Sequence, residues 1–200
     1  MLPPPQQDRE TVRGTTRRAM LVAPATLAIA GVACAQEHEA SSIQGGKTLI
    51  AFLSRSGNTR VIAGTLQRAL SADLFEIRTA RPYPDDYEQH VAQVTRERDA
   101  GFEPQLVGSL ETTASYDVVF LGFPVWGGTA PPPVRSFLKA HDLRGKTLRP
   151  FITHGGFGVG SSPAVLASHA AGAKIEPAFV MEADQERRTL DEVRGWLDRI

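Results

Sequence analysis

The stretch TLIAFLSRSGNT, Thr48–Thr59, decides the fold. Its first half is a nearly continuous apolar run, which is typical of a strand buried on both faces of a sheet. Its second half is small and polar, and it opens a segment in which Ile62, Leu66 and Leu70 recur every fourth residue, as on the buried stripe of an amphipathic helix. A buried strand that passes through a short loop into a helix predicts an α/β protein.

The same alternation continues to the end of the chain. Further strands are predicted at 72–77, 117–123, 147–153 and 175–181, and helices at 58–72, 86–99, 131–140, 162–171 and 190–200. Pro150 lies inside one predicted strand, although proline is uncommon there because it cannot donate a backbone hydrogen bond. Trp196 lies on the apolar stripe of the last helix, so we expect it in the core. The alternation predicts one domain, residues 47–200, with a parallel sheet between two helical layers.

The composition of the 200 residues excludes several classes of protein. With 42% hydrophobic and 22% charged residues, the chain is unlike collagen, coiled coils and disordered proteins. Its 22 basic and 22 acidic side chains balance, so no nucleic-acid partner is predicted. Cys34 is the single cysteine, which excludes an intrachain disulfide and a cysteine-based zinc site, and no other metal site is predicted.

Residues 1–35 have the pattern of a secretory signal peptide. Arg17 and Arg18 precede an apolar run, 19–35, which is shorter than the roughly 20 residues of a membrane-spanning helix and ends in an A-x-A cleavage pattern. The string TRRAML around the arginine pair is similar to the twin-arginine export signal. A polar linker, 36–46, follows. The sequence therefore predicts an exported, periplasmic protein.

A second interpretation makes Cys34 a lipidated cysteine. A lipobox usually has leucine three residues before the cysteine, whereas Gly31 stands there in this chain. A contact with the membrane is therefore expected only through the signal peptide or through a lipid anchor on Cys34, and both interpretations stay open.

The loop SRSGNT is the first of three candidate ligand-binding loops. Parallel sheets bind ligands at the carboxyl ends of their strands, which here are Leu53, Phe123 and Ile152. The loop supplies four hydroxyl or amide side chains at a helix N-terminus, where free backbone N–H groups favour an anion. The alternative, a simple helix cap, needs only one such residue. The loop has neither the P-loop nor the GxGxxG spacing, so it favours a phosphate site of another kind.

The two later loops are rich in glycine. PVWGGTAPPP, 124–133, carries Trp126, whose flat face suits an aromatic ligand, unless it simply fills the edge of the core. THGGFGVGSS, 153–162, has four glycines that allow the backbone to approach a ligand closely, unless they only make a flexible turn. Either loop alone is a weak signal.

Together, SRSGNT, FPVWG (123–127) and THGG (153–156) resemble the three FMN-binding loops of flavodoxin-like proteins. The stretches PYPDDY, 82–87, and LRGKTLRPFITHGG, 143–156, resemble a bacterial flavodoxin branch in particular. The resemblance covers roughly residues 47–200. It implies a flavodoxin-like three-layer α/β/α sandwich with a five-stranded parallel sheet in the order 2-1-3-4-5, and one noncovalent FMN.

The resemblance also implies a set of FMN-binding residues. The first loop would hold the phosphate, Trp126 would pack on or beside the isoalloxazine, and the third loop would contact the ring edge. The branch often has a second tryptophan where Gly127 stands and a serine where Phe157 stands, so the stacking partners stay open and Phe157 is one candidate. The full set is Ser54, Arg55, Ser56, Gly57, Asn58, Thr59, Pro124, Val125, Trp126, Gly127, Thr153, His154, Gly155, Gly156 and Phe157.

Three functions compete on this interpretation. The first is an FMN oxidoreductase that acts on a small acceptor such as a quinone, with His154 as a candidate proton or hydrogen-bond donor near the flavin. The second is an electron carrier between proteins, which the neutral charge disfavours. The third is a binding module without FMN, which the three loops disfavour. His90, His141 and His169 are predicted to be surface residues, while the electron donor, the electron acceptor and the oligomeric state stay open.

Overall fold

Parallel strands alternate with helices in the computed structural model, which describes residues 47–111, 113–183 and 186–200. The predicted signal peptide, the linker and Cys34 lie outside the described residues. The elements are β1 (Thr48–Phe52), α1 (Asn58–Leu70), β2 (Asp73–Glu76), α2 (Tyr87–Asp99), β3 (Val118–Pro124), α3 (Pro132–Ala140), β4 (Thr147–His154), α4 (Ser162–His169), β5 (Lys174–Ile175), β6 (Phe179–Glu182) and α5 (Glu186–Leu197).

The strand order β2-β1-β3-β4-β5 confirms the predicted topology. The named strands of the described sheet all pair in parallel, and β1 aligns Leu49 with Asp73 of β2 on one side and with Val119 of β3 on the other. The sheet therefore reverses its order between β1 and β3, which is where α/β proteins of this topology bind their ligands.

The fifth strand is broken, which corrects the prediction of one continuous strand over 175–181. Its two pieces, β5 and β6, both pair with β4, where Leu148 aligns with Ile175 and Phe151 aligns with Phe179. The second piece lies one residue further along the chain than an unbroken register would require, so the residues around Pro177 form a bulge.

This bulge explains why β4 tolerates Pro150. The Leu148 carbonyl accepts a hydrogen bond from Glu176 at 2.9 Å, so alternate residues of β4, Pro150 among them, face the fifth strand. The missing N–H of Pro150 thus points at the interruption between β5 and β6, where no ladder bond is lost.

Helices cover both faces of the sheet and enclose two hydrophobic clusters. One cluster lies beneath α3 and α4, and the other lies beneath α1 and α5. Trp196 belongs to the second cluster, as predicted: it is 8% exposed, stacks on Phe179 at 5.0 Å between ring centroids and meets Phe120 edge to face. No helix among the described residues is long and apolar enough to cross a membrane.

Two histidines predicted on the surface are buried instead. Helix α2 begins after Asp86, whose carboxylate accepts the backbone N–H of Gln89, and this mostly polar helix buries His90 together with Val94. His141 is also buried, and it bonds through one ring nitrogen to the Phe137 carbonyl and through the other to the Leu110 N–H. Both predictions failed because burial of these side chains depends on packing against distant segments.

Candidate functional site

The three predicted loops meet at the carboxyl ends of β1, β3 and β4. A buried hydrogen bond of 2.9 Å joins the Thr59 and Thr153 hydroxyls, which links the first loop to the third. The Val125 N–H donates to the Thr153 carbonyl at 2.8 Å, which links the second loop to the third. These bonds connect all three loops to β4 and so fix the positions of the loops relative to one another.

A cavity of about 260 Å³ opens between these loops and helix α2. Ten of the fifteen predicted site residues line it. The cavity walls are Arg55, Ser56, Asn58, Tyr87, His90, Val91, Val94, Thr95, Pro124, Val125, Trp126, Gly127, Thr153, His154, Gly155 and Ala183. The five predicted residues outside this lining are Ser54, Gly57, Thr59, Gly156 and Phe157.

The first loop presents a helix N-terminus to the cavity. Gly57 adopts a left-handed conformation, φ 101°, and as the N-cap residue it has no side chain that could cap the helix that follows. The first turn of α1 carries no acidic residue, so its positive dipole end is not offset locally. Ser54 stabilises the loop, since its hydroxyl accepts the backbone N–H groups of Gly57 and, in the first turn of α1, Arg60. Such an end favours an anionic ligand.

Arg55 gives the cavity its formal charge. It donates to the Asp85 carbonyl at 2.8 Å, and its guanidinium carbon lies 5.8 Å from the centroid of the Tyr87 ring. No lysine or carboxylate side chain appears among the described lining residues. The cavity is therefore electropositive next to the α1 N-terminus.

The second loop presents Trp126 on a tight turn. Trp126 and Thr129 exchange two backbone hydrogen bonds, of 3.1 and 3.2 Å, around Gly127 and Gly128. Both glycines have positive φ, 56° and 76°, as a type I′ turn requires, and glycine adopts this conformation without strain. The Arg98 guanidinium donates a hydrogen bond to the Gly127 carbonyl at 3.0 Å, and its Nη1 would lie 2.9 Å from a Cβ at position 127.

Trp126 belongs to a cluster of three rings. It meets His90 edge to face at 4.4 Å and Tyr83 at 5.1 Å between centroids, and His90 and Tyr83 lie 5.3 Å apart. Burial raises the pKa of Tyr83, and the hydrogen bond that its hydroxyl donates to the Glu97 carboxylate raises it further. Trp126 is only partly buried and lines the cavity, so it does not simply fill the core edge.

The third loop brings the His154 imidazole to the cavity. Its Nδ1 accepts the Gly156 N–H at 3.1 Å, so in the neutral ring the proton resides on Nε2. His154 is thus a hydrogen-bond donor for a ligand in the cavity. Phe157 is 96% exposed and lies outside the lining, so in this structure it is not part of the wall.

Sequence reasoning missed the wall contributed by α2. Tyr87, His90, Val91, Val94 and Thr95 all line the cavity. Four of them, at 87, 90, 91 and 94, follow the spacing of one helical face, which was a legible signal. The low hydrophobicity of the helix concealed this face, because most of its side chains are polar.

His90 is the unusual member of this wall. It is 4% exposed, and neither of its ring nitrogens has a hydrogen-bond partner in the part of the chain that the structure describes. Burial lowers the pKa of His90 below its usual value, and the nearby Arg55 charge lowers it further. The ring is therefore neutral at pH 7.

Comparison of the sequence with family profiles shows which family the chain belongs to. The sequence profile of the Flavodoxin family matches residues 47–200. The chain belongs to the flavodoxin family. This match spans every element of the described sheet and all three loops of the cavity.

Solved structures agree with this flavodoxin assignment. A candidate flavoprotein from Bacteroides eggerthii DSM 20697 is 31% identical with a TM-score of 0.67, covering 78% of this chain and 98% of that one. A second one, from Bacteroides uniformis ATCC 8492, is 26% identical with a TM-score of 0.66, covering 76% and 99%. A flavoprotein from Lactobacillus acidophilus NCFM, solved in complex with FMN, is 21% identical with a TM-score of 0.59, covering 74% and 99%, and shares the fold. No curated protein matches the sequence significantly.

Proposed function

We propose that this flavodoxin-family chain binds one FMN noncovalently in the cavity and uses it for electron transfer as an oxidoreductase. The observation that carries the proposal is one cavity that has the positive N-terminus of α1, with no acidic residue in its first turn, at one end and the Trp126 ring in its wall. An anion site joined to a flat aromatic wall suits a ligand that has a phosphate and a fused ring system.

The residues present fit FMN. Arg55, Ser56 and Asn58 line the phosphate end, where they would add charge and polar groups to the backbone N–H groups of α1. The ring end has an aromatic wall at Trp126 and a donor at His154 Nε2. The structure of the Lactobacillus acidophilus relative with FMN supports the same assignment.

FMN, when bound, supplies the electron-transfer chemistry, and the protein supplies binding, orientation and electrostatics. Arg55 would attract the phosphate and offset part of its charge. The hydrogen bond between the Thr59 and Thr153 hydroxyls holds the first loop, which would bind the phosphate, against the third loop. Trp126 excludes water from one side of the cavity, and His154 holds a proton on Nε2 that it can share with an acceptor atom of the ligand.

We further propose that the electron acceptor is a small, flat, quinone-like molecule. Tyr87 is 69% exposed and Val91 is 42% exposed, and both border the cavity from α2. Their side chains form an exposed, largely apolar surface beside the proposed flavin site, on which such an acceptor would bind. The balanced charge of the chain provides no field that would steer a protein partner.

The visible spectrum of the purified protein tests the cofactor. We expect a yellow protein that releases FMN on denaturation, and an apoprotein that takes up FMN in a titration. Absence of both release and uptake would contradict the proposal. Reoxidation of the reduced protein by soluble quinones supports the small-acceptor function, whereas reoxidation only by electron-transfer proteins would assign it to the carriers.

A further inference from the structure

His90 brings unpaired hydrogen-bonding groups to the wall of the cavity. A neutral imidazole has one N–H donor and one acceptor nitrogen. Both nitrogens are buried and neither finds a partner among the described residues. A buried polar group without a partner destabilises a protein, so its presence in a ligand cavity needs a reason.

The neighbours of His90 offer it no hydrogen bond. Trp126 and Tyr83 surround it with ring surfaces, and the Tyr83 hydroxyl is already donated to Glu97. The charged groups that face it are Arg55 from the first loop and Glu97 from its own helix, and these act on it through charge alone. The partner must therefore come from outside this set of side chains.

His141 shows how the same fold treats a structural histidine. It is 5% exposed, as buried as His90, and lies away from the cavity. Both of its ring nitrogens are bonded, at 2.8 Å to the Phe137 carbonyl and at 3.2 Å to the Leu110 N–H. Burial alone thus does not leave a histidine unpaired in this protein, and the position of His90 in the cavity wall is the difference.

We propose that His90 forms a hydrogen bond with the bound flavin and that the Trp126 ring turns from His90 onto the ligand to make this possible. The inference rests on the proposed function. Trp126 shields the imidazole in the present arrangement, and a flavin ring offers Trp126 a larger flat partner in exchange. The edge of that ring carries carbonyl oxygens and an N–H group, so it can pair with one nitrogen of a neutral imidazole, whether that nitrogen is the donor or the acceptor.

The test compares His90→Phe with His141→Phe in the full chain. FMN affinity is measured by quenching of flavin fluorescence, and apoprotein stability by urea unfolding. We expect His90→Phe to weaken FMN binding about tenfold or more, since one buried hydrogen bond is lost, with an unchanged or higher unfolding midpoint. His141→Phe should show the reverse, a lower midpoint and unchanged FMN affinity.

Unchanged FMN affinity in His90→Phe would overturn the inference while leaving the proposed function intact. A wild-type protein that binds no FMN would overturn both. If His90→Phe does not fold, His90→Gln, which keeps a donor and an acceptor, is expected to bind FMN more tightly than His90→Ala. In the wild type, the imidazole ¹⁵N shifts of His90 must change on FMN addition while those of His141 do not, and a constant His90 signal contradicts the inference.

Discussion

At the scale of single residues, the two tryptophans have different surroundings. Trp196 is packed between Phe120 and Phe179 in the core, whereas Trp126 lies at a cavity wall and is partly buried. Trp196→Ala should lower the free energy of unfolding by about 3–5 kcal/mol. Trp126→Ala should lower it by only about 1–2 kcal/mol, since this side chain is partly buried at the edge of a core cluster, and should weaken FMN binding. Equal losses of stability with unchanged FMN affinity would make Trp126 a structural residue.

Replacing glycine by alanine should change the free energy of unfolding in opposite directions at two positions. A Cβ at Gly122 in β3 would lie 2.0 Å from the Phe151 ring, so Gly122→Ala should destabilise the protein by about 1–3 kcal/mol. At Gly64 in α1 the nearest atom is the flexible end of Arg68 at 3.4 Å, so Gly64→Ala should stabilise it by about 0.5–1 kcal/mol. Chemical denaturation measures both, and effects of the same sign would contradict the packing at Gly122.

The neutral state of His90 predicts a dependence of stability on pH. Its pKa lies below the ordinary 6.5 in the folded protein because of burial and Arg55. Above pH 6.5 the folded and unfolded states are both neutral at this position. Below it the unfolded chain takes up a proton that the folded state resists, so stability falls until the pH reaches the folded pKa. Urea unfolding at pH 7.5 and 5.5 should therefore show a larger loss in wild-type apoprotein than in His90→Phe, and equal losses would contradict this.

At the scale of elements, the bond between Thr59 and Thr153 couples α1 to β4. Thr59→Val leaves the Thr153 hydroxyl buried without its partner, which should destabilise the protein by about 1–3 kcal/mol. Replacing both threonines by valine removes both polar groups, so the double variant should be more stable than the sum of the single losses implies. Additive losses in this double-mutant cycle would show that the hydroxyls do not interact.

The sequence predicted most elements but not how they pack. Helix α1 could be found from Ile62, Leu66 and Leu70, because helical periodicity is a local property of the chain. The break in the fifth strand was missed, since it depends on how 176–178 align with Pro150 in another strand. The α2 wall was missed for the same reason: a polar helix buries His90 only because the second loop lies over it.

At the scale of the whole molecule, the proposed cofactor bears on the route by which the protein would be exported. We propose that the protein is exported by the twin-arginine route, which carries folded proteins, because FMN is made in the cytoplasm and must be bound before export. Replacing Arg17 and Arg18 together by lysine should keep the flavoprotein inside the cell, as measured by fractionation. Mature flavoprotein outside at the normal level would contradict the route and leave FMN binding untouched.

The sequence by itself determined the alternation of strands and helices, the strand order by resemblance, and the three loops with their polar and glycine residues. The elements and the loops depend on local periodicity and turn chemistry, which a single stretch of chain carries, whereas the strand order rested on the resemblance alone. The tertiary structure decided which residues share one cavity, that α2 forms its wall, and that His90 is buried there beside Trp126 without a partner. Burial and hydrogen-bond pairing are properties of segments far apart in sequence, so no local pattern specifies them.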